Sequence, residues 1–131
     1  MNLFEKKEFF SHSGDLLDWK IECDALTDED IETLAYLISK KYTFRRVYGL
    51  PTGGVRLGIA LQKYTDENSE VSLIVDDVLT TGKSMEDHRH NVWAEALSDN
   101  EEVAGVVIFA RKECPYWVVP IFQLHDWFRD E

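Results

Sequence analysis

The alternation of apolar and polar positions divides the chain into a series of short elements. From Thr27 a helical period sets in: Ile31, Leu34, Ala35 and Ile38 share one face, while Asp28, Glu29 and Asp30 crowd the end where a helix dipole favours acids. Thr27 is placed to cap that helix. Residues 44–49 read as a strand, closed by the turn Leu50-Pro51-Thr52-Gly53-Gly54, and residues 55–64 as a second helix. Residues 71–75 (VSLIV) form a short β-branched run bounded by polar residues, which predicts a buried strand. A third helix is expected from Lys83 or Ser84 to Leu97, with Met85, His88, Val92, Trp93 and Ala96 on its inner face. Residues 103–110 and 118–122 read as two further strands. Residues 9–26 lack a clean period and predict an irregular strand or hairpin, and residues 66–70 an acidic surface turn.

Strands alternating with helices imply right-handed crossovers and an α/β fold: a mostly parallel central sheet with helices on both faces. Ligands of such sheets collect at the carboxyl ends of the strands. No repeat or Pro/Gly/Ser linker interrupts the 131 residues, so a single compact domain over 1–131 is expected. Seven Phe, five Tyr and four Trp argue against disorder.

The formal charge of −11 weighs against nucleic acid or an anionic membrane as partner, since both require neutralisation of dense negative charge. An anionic small molecule remains compatible where backbone amides or a metal ion offset the field. Cys23 and Cys114 show no CxxC spacing and read as two buried thiols in a reducing compartment. No apolar run approaches the roughly 18–20 residues of a membrane span, and MNLFEKKEFF lacks a signal-peptide core. A cytoplasmic protein is the expectation.

The chemistry concentrates in VSLIVDDVLTTGKS, residues 71–84. A buried strand ends in adjacent carboxylates and is followed by a hydroxyl- and glycine-rich turn that opens into a helix. Amides at a helix start, a glycine permitting close approach and Thr/Ser hydroxyls together make a phosphate cradle. Carboxylates beside it would repel a phosphate. They make sense as acceptors for sugar hydroxyls or as holders of a divalent cation. Phosphate plus vicinal diol describes a ribose 5-phosphate. A Walker A loop is excluded, because Asp77 stands where that pattern needs glycine. His88 and His90, two apart, cannot share one helix face as metal ligands, and His125 beside Asp126 reads as a surface histidine.

This segment closely resembles the phosphoribosyl pyrophosphate (PRPP) signature of type I phosphoribosyltransferases. The resemblance implies that Asp76 and Asp77 bind the ribose hydroxyls, and that Leu79, Thr80, Thr81, Gly82, Lys83 and Ser84 hold the 5-phosphate. The turn after the first core strand is similar to the family's pyrophosphate loop, which implicates Thr52, Gly53 and Gly54. Arg56 could add a fixed charge there, or could be an ordinary exposed helix arginine. Ser11-His12-Ser13-Gly14 with Trp19-Lys20-Ile21, and residues 106–113 (VVIFARKE), resemble the orotate phosphoribosyltransferase branch. Residues 119–124 (VPIFQL) resemble its closing strand. By that likeness Thr80 and Arg111 face the base. Mg²⁺ is the implied cofactor, held by way of Asp76, Asp77 and the ligand, with PRPP and a nucleobase as substrates and a homodimer as the assembly.

Three departures qualify the resemblance. The family usually places a strand and a long mobile loop before the PRPP strand, where this chain has only residues 62–70, and these are acidic. His12 stands where the orotate branch carries a lysine, and Gly53 aligns with another. The expected function is transfer of ribose 5-phosphate between PRPP and a nitrogenous base, orotate or another pyrimidine, with release of pyrophosphate. The alternative is a non-catalytic PRPP- or nucleotide-binding regulatory module that kept the cradle and lost the lid.

Overall fold

A computed structural model describes residues 1–11, 14, 16–95 and 102–124, excluding the side chains of 92–95. Strands β1 (Phe4–Phe10) and β2 (Leu16–Ile21) form an antiparallel hairpin with a register shift between Lys6 and Phe9. The rest alternates: α1 (Asp28–Lys41), β3 (Arg46–Gly49), α2 (Val55–Leu61), β4 (Val71–Leu79), α3 (Lys83–Glu95), β5 (Glu102–Ala110) and β6 (Val118–Gln123). The last four strands build one parallel sheet in the order β3-β4-β5-β6.

The apolar runs of β4 and β5 are continuous because each strand is covered on both faces, and successive side chains point to opposite sides. Leu73, Val75, Val106 and Ile108 meet Ile31, Leu34, Ala35, Ile38, Leu57 and Leu61 of α1 and α2. Ile74, Val107 and Ala110 pack with Met85 of α3 and with Trp117. Each Val, Leu, Ile or Met side chain among these that is fully removed from water contributes roughly 1.5–3 kcal/mol. Helix α1 starts as its sequence predicts. Asp30 N donates to Thr27 Oγ1 (3.0 Å) and Thr27 N donates to Asp30 Oδ2 (2.8 Å), a reciprocal cap.

The hairpin lies over the carboxyl end of the sheet. Phe4 meets Phe109 edge-on at 5.9 Å between ring centroids, and Glu22 N donates to Leu3 O. Arg111, at the end of β5, donates to Trp19 O (2.8 Å) and lies 3.7 Å over the Trp19 ring. One side chain thereby pins hairpin to sheet by a hydrogen bond and a cation–π contact together.

Boundaries differ from the sequence expectation in informative places. Helix α2 stops at Leu61 and continues as a 3-10 turn, Gln62–Tyr64. Strand β3 begins at Arg46, and Cys114 is half-buried where Cys23 is buried. Strand β4 runs on to Leu79, so both aspartates lie within the strand. Its ladder with β5 continues through Asp76↔Val107, Val78↔Phe109 and Leu79↔Ala110. Ala96, Leu97, His12, Ser13, His125 and Asp126, and the side chains of Val92 and Trp93, lie outside what is described. Among the described residues no helix is long and apolar enough to cross a membrane.

Candidate functional site

A cavity of about 420 Å³ opens at the carboxyl ends of β3, β4 and β5. Its floor is the Asp76–Ser84 segment, one wall is the Pro51–Gly53 turn, and the opposite wall is β2 with Glu22, Cys23 and Asp24.

The topology explains why two loops meet there. Strand β3 pairs with β4 only as far as Gly49↔Val75, and Leu50 N then donates to Val75 O (2.9 Å). Beyond Val75 the β3-side edge of β4 is open, and the β3–α2 turn fills it. That turn lies so close that side chains are excluded. A Cβ on Gly54 would stand 2.7 Å from Leu50 N and 3.0 Å from Asp76 Cα, and one on Gly53 would overlap the Asp77 carboxylate. The peptide between Pro51 and Thr52 is cis.

Asp76 and Asp77 are half-buried and each is steered by the next amide. Asp77 N donates to Asp76 Oδ1 (2.8 Å), and Val78 N donates to Asp77 Oδ1 (2.7 Å). One oxygen of each carboxylate is thereby fixed while the residue still lines the cavity. Burial, and next the charge of Asp77, push the Asp76 carboxyl up to about 8.

After Leu79 the chain turns sharply. Gly82 adopts φ +82°, Lys83 N donates to Thr81 Oγ1 (3.3 Å), and Glu86 N donates to Gly82 O (3.0 Å) as α3 begins. Among the described residues the amides of Thr80, Thr81, Gly82 and Ser84 donate to no turn or loop carbonyl. Open amides at the start of a thirteen-residue helix form a concave donor array suited to an anion.

The structure brings every expected site residue except Gly54 to the cavity lining; Gly54 is buried just behind it. It also shows how the cations there are engaged. Arg56, expected near a pyrophosphate, donates to Leu26 O (2.9 Å) and pairs with Asp28 (3.1 Å). Arg111, expected at a base, has its guanidinium on Trp19, and the residue is 7% exposed. Lys20 pairs with Glu22 at 3.0 Å.

Sequence reasoning passed over Phe9, Glu22, Cys23 and Asp24 as lining residues. Their one signal is the alternation of Lys20 and Glu22 with Ile21 along β2, which hairpin docking turns into a cavity wall. Burial foremost, and then nearby carboxylates with Asp77 first, hold the Cys23 thiol up at about 12, a neutral thiol rather than a nucleophile. Among the described residues no three His, Cys, Asp or Glu side chains are grouped to hold a metal. Asp76 and Asp77 suit a divalent cation only as a partial donor set, the remaining ligands coming from oxygens of a bound molecule.

With this geometry in view, the comparison with solved structures defines the fold: it is that of type I phosphoribosyltransferases, and its likeness is to the orotate branch. Orotate phosphoribosyltransferase from Aeropyrum pernix matches over 92% of this chain and 88% of its own, with a TM-score of 0.70 and 17% identity. That from Mycobacterium tuberculosis H37Rv matches over 92% and 89%, with a TM-score of 0.65 and 16% identity. Leishmania donovani UMP synthase matches over 94% of this chain but 34% of its own, with a TM-score of 0.71 and 16% identity. No protein-family model and no curated protein sequence matches the chain.

The expected departure in the crossover is present. Residues 62–70 comprise the 3-10 turn and a tight acidic turn, with Asn68 N donating to Asp66 Oδ1 (2.9 Å) and Asp66 N to Phe44 O (2.8 Å). They hold no strand and no long loop able to reach over the cavity.

Proposed function

We propose that the cavity binds a 5-phosphorylated ribose and that the chain is a compact phosphoribosyltransferase. The observation that supports this best is the juxtaposition, on one continuous strand and turn, of two steered carboxylates with an array of open amides. Asp76 and Asp77 accept hydrogen bonds from the 2- and 3-hydroxyls. Thr80, Thr81, Gly82, Lys83 and Ser84, with the backbone of Leu79, surround the 5-phosphate, and Thr52 to Gly54 border the pyrophosphate. Thr80 and Arg111 flank the base, orotate or another pyrimidine.

In the reaction a base nitrogen forms a bond to the anomeric carbon as the bond from that carbon to the pyrophosphate oxygen breaks, and the electron pair departs with pyrophosphate. Positive charge builds on the ribose ring, and the Asp77 carboxylate fixed beneath it stabilises that charge without reorganisation. Mg²⁺, when bound, supplies neutralisation of the leaving group. The working unit is a cytoplasmic homodimer of one domain per chain, residues 1–131.

The short 62–70 crossover favours one second reading, a nucleotide-binding regulatory module without turnover. Titration calorimetry with PRPP and Mg²⁺, followed by pyrophosphate release with orotate and uracil, separates the two. Transferase activity requires release with at least one base, whereas binding without release leaves the module. No heat with millimolar PRPP overturns both.

A further inference from the structure

Resting on that reading of the cradle, we infer that this cavity seats one phosphate and not two. Its preferred ligand is a ribose carrying a single 5-phosphate, such as ribose 5-phosphate or a nucleoside 5′-monophosphate, and the second anionic group of PRPP gains no grip from the protein.

The placement of charge around the cavity carries the inference. Four cationic residues line it, and three are already engaged. Lys20 is paired with Glu22, Arg56 is held by Leu26 O and Asp28, and Arg111 is stacked on Trp19 and bonded to its carbonyl. Of these four, Lys83 is the one whose side chain makes no ion pair, hydrogen bond or ring contact among the described residues, and it stands in the turn that takes the 5-phosphate.

The turn where a pyrophosphate would lie is built differently. The Asp77 carboxylate packs against Gly53, so any anion approaching that loop meets a negative charge beside its amides. A lysine at position 53 requires the Asp77 side chain to move, because its Cβ would overlap that carboxylate. Asp24 on the opposite wall adds to the repulsion of a second anion. No basic loop reaches over from residues 62–70 to offset it.

Calorimetry on the full chain with ribose 5-phosphate, PRPP and inorganic pyrophosphate, each with and without Mg²⁺, tests this. The expected result is measurable ribose 5-phosphate binding, PRPP no more than threefold tighter under either condition, and no pyrophosphate binding. A larger PRPP advantage overturns the inference while leaving the phosphoribosyl reading intact. Absence of binding by both sugar phosphates overturns the reading, and the inference with it. Thr52→Lys adds a cation at an exposed position of the same turn and should improve PRPP at least fivefold relative to ribose 5-phosphate. An unchanged ratio in a variant whose circular dichroism matches the parent also overturns the inference.

Discussion

The two turns that meet at the cavity are both short, both carry glycine and both precede a helix, yet they are held by different physics. The β3–α2 turn is a packing joint. Its glycines exist because Val75 O, Leu50 N and the Asp77 carboxylate occupy the space side chains would need. The β4–α3 turn is open. Gly82 has room for a Cβ, whose nearest neighbour would be Pro115 Cγ at 3.5 Å, and is there for its positive φ alone. A Pro-x-Gly-Gly string and a Thr-Thr-Gly string can therefore look equally like anion loops in sequence, while only the first has its glycines dictated by close packing.

The largest expected effect breaks the open turn at its carboxylates. At about pH 9, where Asp76 is ionised, Asp76→Asn with Asp77→Asn should weaken ribose 5-phosphate by about 100-fold or more, because each charged hydrogen bond from a hydroxyl contributes roughly 1.5–3 kcal/mol. Calorimetry reads the loss, and near-normal binding would remove the carboxylates from the site.

Gly54→Ala tests the packed turn. Its Cβ meets the rigid backbone of Val75 and Leu50, and overpacking of this kind costs about 1–3 kcal/mol, occasionally more. The urea midpoint should fall accordingly. A variant as stable as the parent would show that the turn has slack and is not a joint.

Acidity sharpens the same contrast, because Asp76 sits where the two turns touch. Its carboxyl is pushed up to about 8 by burial and by Asp77. In the unfolded chain it titrates near ~3.9. Between those values the folded protein holds a proton that the unfolded chain has released, so this group favours the fold at low pH and ceases to do so as pH rises through about 8. Urea midpoints should therefore drop between roughly pH 5 and pH 9. Asp76→Asn should flatten that decline, and an identical decline in the variant would assign it to other groups.

How much of this was legible beforehand follows the range of each interaction. The α1 start was readable because Thr27 and Asp30 cap each other across three residues. The strand–acid–turn order of the cradle was readable for the same reason, being contiguous. What lay hidden was long-range. Strand β4 passes Val75 because β5 continues to pair with it, which no local pattern announces. The engagement of Arg111 depends on Trp19, 92 positions away, and that of Arg56 on Leu26 and Asp28. Both arginines line the cavity, and in both the guanidinium partner was invisible in the sequence.

The smallest effect is the most discriminating. Gly82→Ala meets no steric obstacle, so its cost is confined to holding a Cβ-bearing residue at φ +82°, about 1–2 kcal/mol. That strain can be relieved in two ways. If the turn keeps its shape, stability falls by this amount and ribose 5-phosphate affinity is nearly unchanged. If instead the turn relaxes to negative φ, stability is largely recovered but the amides of Thr81 and Gly82 swing away and affinity falls about tenfold, the equivalent of roughly one hydrogen bond to a charged group. Measuring the urea midpoint and the dissociation constant on the same variant separates these. The open turn predicts the second pattern, since among the described residues no turn or loop carbonyl restrains those amides. Loss of stability with full affinity would mean that the turn is as rigidly packed as its neighbour, and the contrast between the two would vanish.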